Sequence, residues 1–170
     1  MQTGNSLTKE IEKARRLFEV YGAGLLSDRS IAALLSSYSE LIEEGGRMMR
    51  ESGGGDACAQ CAARTGSCCF EGIEAGYDSV LLLINLLLGC ALPLEREIPG
   101  GCHFAGEKGC KLVARYAFCL NYLCPDLAAR LGKPAKEQML RMIGAQLAKG
   151  WEAETAIRTE IRRQRSVLCS

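Results

Sequence analysis

The sequence predicts an all-α domain of five or six helices, with two cysteine-rich loops brought together at one end. Three observations predict it. Apolar residues recur at three- and four-residue spacing along several stretches, the period of a helix with one buried face. Sustained period-2 alternation, the mark of a half-buried strand, occurs nowhere in the 170 residues. Eight of the ten cysteines stand in two tight groups on either side of one apolar segment.

The elements follow in order. Leu7, Ile11, Ala14, Leu17, Phe18 and Tyr21 make one stripe over residues 6–21, and Gly22 and Gly24 are expected to break it. Asp28 or Ser30 is placed to cap a second helix, whose apolar face is Ile31, Leu34, Leu35, Tyr38, Leu41, Ile42 and Met48 or Met49. Glycines 53–55 end it, and the first cysteine group follows in a small-residue segment. Asp78 caps a third helix through Val80–Leu88, apolar all round and therefore central. Pro93 and Pro99 bracket a loop.

The second cysteine group opens in a Gly-rich turn at 100–109. It then runs onto an expected helix with Leu112, Val113, Tyr116, Leu120 and Leu123 on one face, stopped by Pro125. Asp126 is positioned to cap a short helix to Gly132. From Pro134 a long helix is expected to about 166, with Met139, Met142, Ile143, Leu147, Trp151, Ile157 and Ile161 as its stripe. No internal repeat or low-complexity tract divides residues 1–170, so one domain is expected.

Composition excludes several function classes. A net charge of +1 gives no general attraction to nucleic acid or anionic membranes. Arg158, Arg162, Arg163 and Arg165 alternate with Glu152, Glu154 and Glu160, which reads as a solvated helix face. The longest apolar run, Val80 to Leu94, is interrupted by Asn85, Gly89, Cys90 and Pro93 and falls short of the ~20 residues of a membrane span. The polar amino terminus lacks a signal core, so the expected compartment is the cytoplasm, where thiols stay reduced and clustered cysteines serve metals more often than disulfides. Phosphate- and dinucleotide-binding glycine motifs are absent, as are the ferredoxin and radical-type cysteine runs.

The first group is Cys58, Cys61, Cys68 and Cys69. The second is Cys102, Cys110, Cys119 and Cys124. With a single His in the chain, cysteine must supply most of any ligand set. Thiolates on Gly-flanked segments suit a soft metal, whether zinc in a closed tetrahedron or a [4Fe–4S] cluster. The adjacent Cys68 and Cys69 have diverging side chains, so one ligates while the other packs, or the two serve different metals. A thiol-redox or disulfide-stapled module is the competing reading.

The pattern as a whole resembles the CxxCxxCC zinc- or iron-chelating domain family, often labelled iron–sulfur oxidoreductases. The resemblance rests on C-x2-C with a Cys-Cys doublet, Gly101-Cys102-His103-Phe104, Gly109-Cys110, Arg115, Cys119, Tyr122 and Cys124, and it covers residues 58–124. The six-residue gap before the doublet and Tyr116 after Arg115 depart from the family pattern. The resemblance implies metal binding by cysteine. One relative is a flagellin lysine methylase, but no separate methyl-transfer motif stands in this sequence.

One principal site drawing on both groups is expected, with Cys58, Cys61, Cys69 and Cys110 as the leading quartet. Cys90 reads as a small buried hydrophobe and Cys169 as a terminal spare. His103 is expected to stand beside the site rather than ligate. Arg115 is a candidate to balance thiolate charge, and Tyr122 a candidate donor to sulfur. The carboxy-terminal helix, with Trp151 and its methionines, suits a homodimer as well as a core.

Overall fold

The computed structural model describes residues 3–62 and 68–168; the expected terminal spare, Cys169, lies outside them. Helix α1 spans Thr3–Ser27 and α2 spans Arg29–Glu51. Leu7, Ile11, Ala14, Leu17, Tyr21 and Leu25 are all buried, a stripe at three- and four-residue spacing. Gly22 and Gly24 do not break α1, contrary to the sequence expectation. Two glycines cost a helix about 1 kcal/mol each. Burying Tyr21 and Leu25 on either side of them returns more than that, at about 1.5–3 kcal/mol per large apolar side chain. The break comes at Asp28, whose Oδ1 accepts from the Ser30 and Ile31 amides at 2.9 and 3.0 Å and so caps α2.

Ser52 closes α2, and a short helix, α3, spans Gly54–Ala62. A single 3₁₀ turn at Ile73–Gly76 leads to α4, Ser79–Leu87. Asp78 caps α4 through Oδ1, at 3.0 Å from the Val80 amide and 2.9 Å from that of Leu81. As predicted, α4 is central: Val80, Leu83, Ile84 and Leu87 face one apolar cluster, and Leu82 faces a second. The first cluster joins the later part of α1 to α2 and to Ile157 and Ile161. The second joins the start of α1 to Tyr77, Leu92, Cys102, Phe104 and Leu112.

A minimal antiparallel hairpin, β1 (Ala105–Gly106) and β2 (Gly109–Cys110), pairs Ala105 with Cys110. The helix expected over 112–123 shrinks to α5, Ala117–Asn121. Helix α6 spans Pro125–Leu168, with a kink at Gly132 (φ 68°, ψ 170°). Pro125 thus opens a helix rather than stopping one, the position where its missing N–H costs nothing. The kink falls where a positive φ suits glycine and where Pro134, two residues on, removes a helical donor.

Beyond the kink, Met139, Ile143, Gln146, Ala153, Ile157 and Ile161 are buried along one face. Gln146 Nε2 donates to the Leu41 carbonyl at 2.9 Å and Gly150 stands against the Tyr38 ring, so α6 runs antiparallel to α2. Trp151, expected on this stripe, is 69% exposed and lies off it. No helix among the described residues is long and apolar enough to cross a membrane.

Candidate metal centre

Cys58 and Cys61 lie on α3, not on a loop as the sequence suggested. Their three-residue spacing puts both side chains on one helix face. Cys68 and Cys69 follow on the irregular segment that leads to Phe70. Here the two cysteine groups meet. The Cys102 amide donates to the Cys69 carbonyl at 2.7 Å, the Glu71 amide to Gly100 at 3.1 Å, and Phe70 bridges Gly101 antiparallel. Ion pairing holds this junction. The buried Glu74 carboxylate takes Arg96 Nη2 at 2.8 Å and the Gly72 amide at 2.9 Å, while Arg96 Nη1 donates to the Gly101 carbonyl.

The second group is built on the hairpin and α5. Ala105 N–H donates to the Cys102 carbonyl at 3.0 Å, which turns the chain into β1, and Cys110 ends β2. The segment between Cys110 and Cys119 is held from below by Asn85, which is fully buried. Its Oδ1 accepts from the Val113 and Ala114 amides, both at 3.0 Å. Its Nδ2 donates to the Ala114 carbonyl at 2.9 Å and to Leu81 at 3.0 Å. These bonds hold 113–114 out of helical conformation, which is why the expected helix starts only at Ala117. Cys124 precedes α6 and caps it: the Leu127 amide lies 3.5 Å from its sulfur.

Each thiol's electrostatic neighbours map the cluster. Burial pushes the Cys58 thiol up, followed by Cys68, Cys124 and Cys61, while Arg115 pulls it down. Cys68 is lowered to about 6 by a hydrogen bond from Cys69; that bond in turn pushes Cys69 up, so the pair shares one proton with Cys69 holding it. Burial raises Cys102 to about 12, with Glu74, Cys110 and Cys119 adding to it. Cys119 is raised by burial and Cys110, against the lowering effects of the Tyr77 hydroxyl and Arg115.

Arg115 therefore faces thiols of both groups, as its sequence position suggested. The hydroxyl aimed at sulfur belongs to Tyr77, whose ring is buried against Phe104 at 4.9 Å. Tyr122 instead stacks on Phe118 at 5.5 Å, and both are exposed. Tyr77 was missed because its place before α4 reads as a capping segment; only the fold brings Cys102, Cys110 and Cys119 around it.

His103 Nε2 lies 3.2 Å from the Pro93 carbonyl and its ring packs edge-on to Phe104. Cys90 is half-buried and donates to the Lys111 carbonyl at 3.2 Å, so it is more than an apolar filler. Of the carboxy-terminal arginines, Arg158 pairs with Asp78 and Glu154, and Arg163 with Glu160.

No protein-family model, curated protein or solved structure matches this chain. Among the described residues, no three His, Cys, Asp or Glu side chains converge closely enough, as placed, to hold an ion. The donor chemistry nevertheless fits a soft metal: thiols from both groups share one region, beside a guanidinium and a phenol that favour their anionic forms.

Proposed function

We propose that this chain is a metal-binding protein that holds zinc or an iron–sulfur cluster through cysteine thiolates from residues 58–69 and 102–124, mainly to stabilise its own fold. The observation that carries the reading is the junction of the two cysteine segments. Cys102 is hydrogen-bonded to Cys69 through the main chain, and the pair of buried Glu74 with partly exposed Arg96 clamps the crossing. That crossing, between two cysteine segments distant in sequence, is what supports the reading. Bound metal would tie α3, the hairpin and the start of α6 together, so binding energy becomes folding energy. The likeness to the CxxCxxCC chelating family, carried by the same residues, supports this reading.

A second reading, an iron–sulfur enzyme acting in redox or methyl-transfer chemistry, is favoured by exposure. Cys58, Cys61, Cys68 and Cys124 are only partly buried, and the aromatic rings of Phe70, Phe118 and Tyr122 lie exposed. A cluster there would be open to solvent and to a reductant.

The test is elemental analysis with a visible spectrum on protein purified without oxygen, alongside Cys58→Ser, Cys110→Ser and Cys169→Ser. The first two variants are expected to lose metal and melting temperature together, and the third neither. Equal behaviour of all three would refute the site assignment. Stoichiometric zinc without colour supports the structural reading, and a broad iron–sulfur absorption supports the second.

A further inference from the structure

We infer that a cavity between α1 and α6, at the first turn of α4, binds the phosphate group of a small organic phosphate ester. No cysteine lines it, and it stands independently of the metal-binding reading.

Cations form its rim: Lys13 on α1, and Arg158, Arg162 and Arg165 along one face of α6. Its floor is apolar, made by Leu17, Val80 and Ile161, all buried in the first core cluster. Its volume is about 140 Å3. That is far above the ~10–15 Å3 that one water needs. Among the described residues, no carboxylate lines it.

A solvated helix face, the reading from the sequence, would disperse or pair these charges. The structure pairs Arg158 with Asp78 and Glu154, and Arg163 with Glu160. Lys13, Arg162 and Arg165 make no ion pair among the described residues. Of the carboxy-terminal arginines, fully exposed Arg163 is the one that stays outside the cavity, and its charge is already matched. Arg158 and Arg162 stand four residues apart, a like-charge spacing that works against a helix unless an anion offsets it.

Two of the cations are oriented in advance. Arg158 is held by its two carboxylates. Arg165 Nε lies 3.4 Å from the Tyr21 hydroxyl, and its guanidinium stands 6.0 Å from the centre of the Tyr21 ring. Neither contact uses the Arg165 Nη hydrogens. Ordering these side chains beforehand lowers the cost of binding.

The main chain at the start of α4 takes no part. Glu10 accepts from the Ser79 amide at 2.7 Å, and Asp78 accepts from those of Val80 and Leu81. Recognition therefore falls to side chains. Glu10, Asp78 and Glu154 are the acids nearby; they serve the helix start and Arg158, and leave Lys13, Arg162 and Arg165 as the excess.

That excess selects the ligand. Cations meeting from two helices call for more than one negative charge and for oxygens pointing several ways. A carboxylate offers one charge and two oxygens in a plane. A phosphate monoester offers about two charges and three terminal oxygens. Guanidinium groups match such oxygens in pairs. The apolar floor strengthens the field of the rim and accepts the carbon skeleton of an ester.

The experiment uses the full chain, with its metal content unchanged, at low ionic strength. Calorimetric titrations compare phenyl phosphate, inorganic phosphate and, as the singly charged reference, benzoate. Expected is one site that prefers phenyl phosphate to both and weakens as sodium chloride is added. Lys13 and Arg162 are exposed, so Lys13→Ala and Arg162→Ala should keep the native circular dichroism. Each should weaken binding about tenfold or more, the worth of a charged hydrogen bond. Arg163→Ala should leave it unchanged.

Flotation with phosphatidylcholine vesicles, with and without phosphatidate, separates a soluble ester from a lipid headgroup; a soluble ester predicts flotation with neither. Four results overturn the assignment: no binding of either phosphate probe, benzoate binding as tightly, equal losses in Arg162→Ala and Arg163→Ala, or capture by phosphatidate vesicles without binding of the soluble probes.

Discussion

Replacing Asn85 with leucine removes the anchor beneath the second cysteine segment. Leucine has the same branching and the same number of side-chain heavy atoms, though its methyl groups are bulkier, so the chief change is the loss of hydrogen bonding. Val113 is exposed, and its amide can turn to water. Ala114 is fully buried, and both its N–H and its C=O lose their partner in Asn85. An orphaned buried group costs about 1–3 kcal/mol, so the two together cost roughly 4 kcal/mol. Domains are stable by about 5–15 kcal/mol, which makes this a large fraction. At about 2–4 °C per kcal/mol for a chain of this size, the melting temperature should fall by roughly 8–16 °C.

The assay is thermal and urea unfolding followed by circular dichroism, at matched metal content, with hydrogen exchange at the Ala114 amide. That amide should lose its protection before the α2–α6 pair does. A loss below about 1 kcal/mol, or unchanged exchange at Ala114, would refute the view that Asn85 holds the segment.

Two further outcomes follow from the same structure. Gly76→Ala places a methyl group 2.6 Å from Cδ1 and Cζ of Tyr116, so the ring must shift; a destabilisation of about 1–3 kcal/mol and an altered near-ultraviolet dichroism are expected, and an unchanged spectrum would count against this packing. Asp78→Ala removes the α4 cap and should cost about 1 kcal/mol in urea unfolding, with the half-exposed Arg158 pair adding little. Burial alone would raise the Asp78 carboxyl, but the Leu81 amide, Arg158 and the Val80 amide outweigh it and hold it below 3.8. A depressed folded value means that this contribution is present above about pH 4 and is lost as the pH falls further, so native and Asp78→Ala stabilities should converge in acid.

Much of the helical scaffold was legible because it depends on local signals. Asp28 and Asp78 cap as their positions suggested, and the stripe from Leu7 to Tyr21 is buried as its spacing required. The errors arose where tertiary contacts override local preference. Gly22 and Gly24 look like breakers until Leu25 is seen in the core. The periodicity of Leu112, Tyr116 and Leu120 looks helical, but Asn85 claims the main chain at 113–114 first. Trp151 fits a helical wheel drawn from apolar residues, whereas the true stripe passes through Gln146 and Ala153, a polar and a small residue.

The cysteine groups were legible as groups. Their junction was not, because it is made by main-chain bonds between Cys69 and Cys102 and by a Glu74–Arg96 pair that no spacing rule connects. Asn85 was visible only as an interruption in an apolar run.

The pairing of α2 with α6 has a consequence for how the chain is made. Gln146 closes on Leu41 across 105 residues, whereas the crossing at Cys69 and Cys102 and the hairpin join segments nearer in sequence. During synthesis the cysteine half therefore has its main-chain partners well before α2 has its own. Ile31, Leu35 and Tyr38 can meet the α1 and α4 side of their cluster early, but the side that Ile157 and Ile161 cover stays open until α6 has been made, so the nascent protein presents a partly uncovered apolar helix face that invites chaperone capture or misassembly.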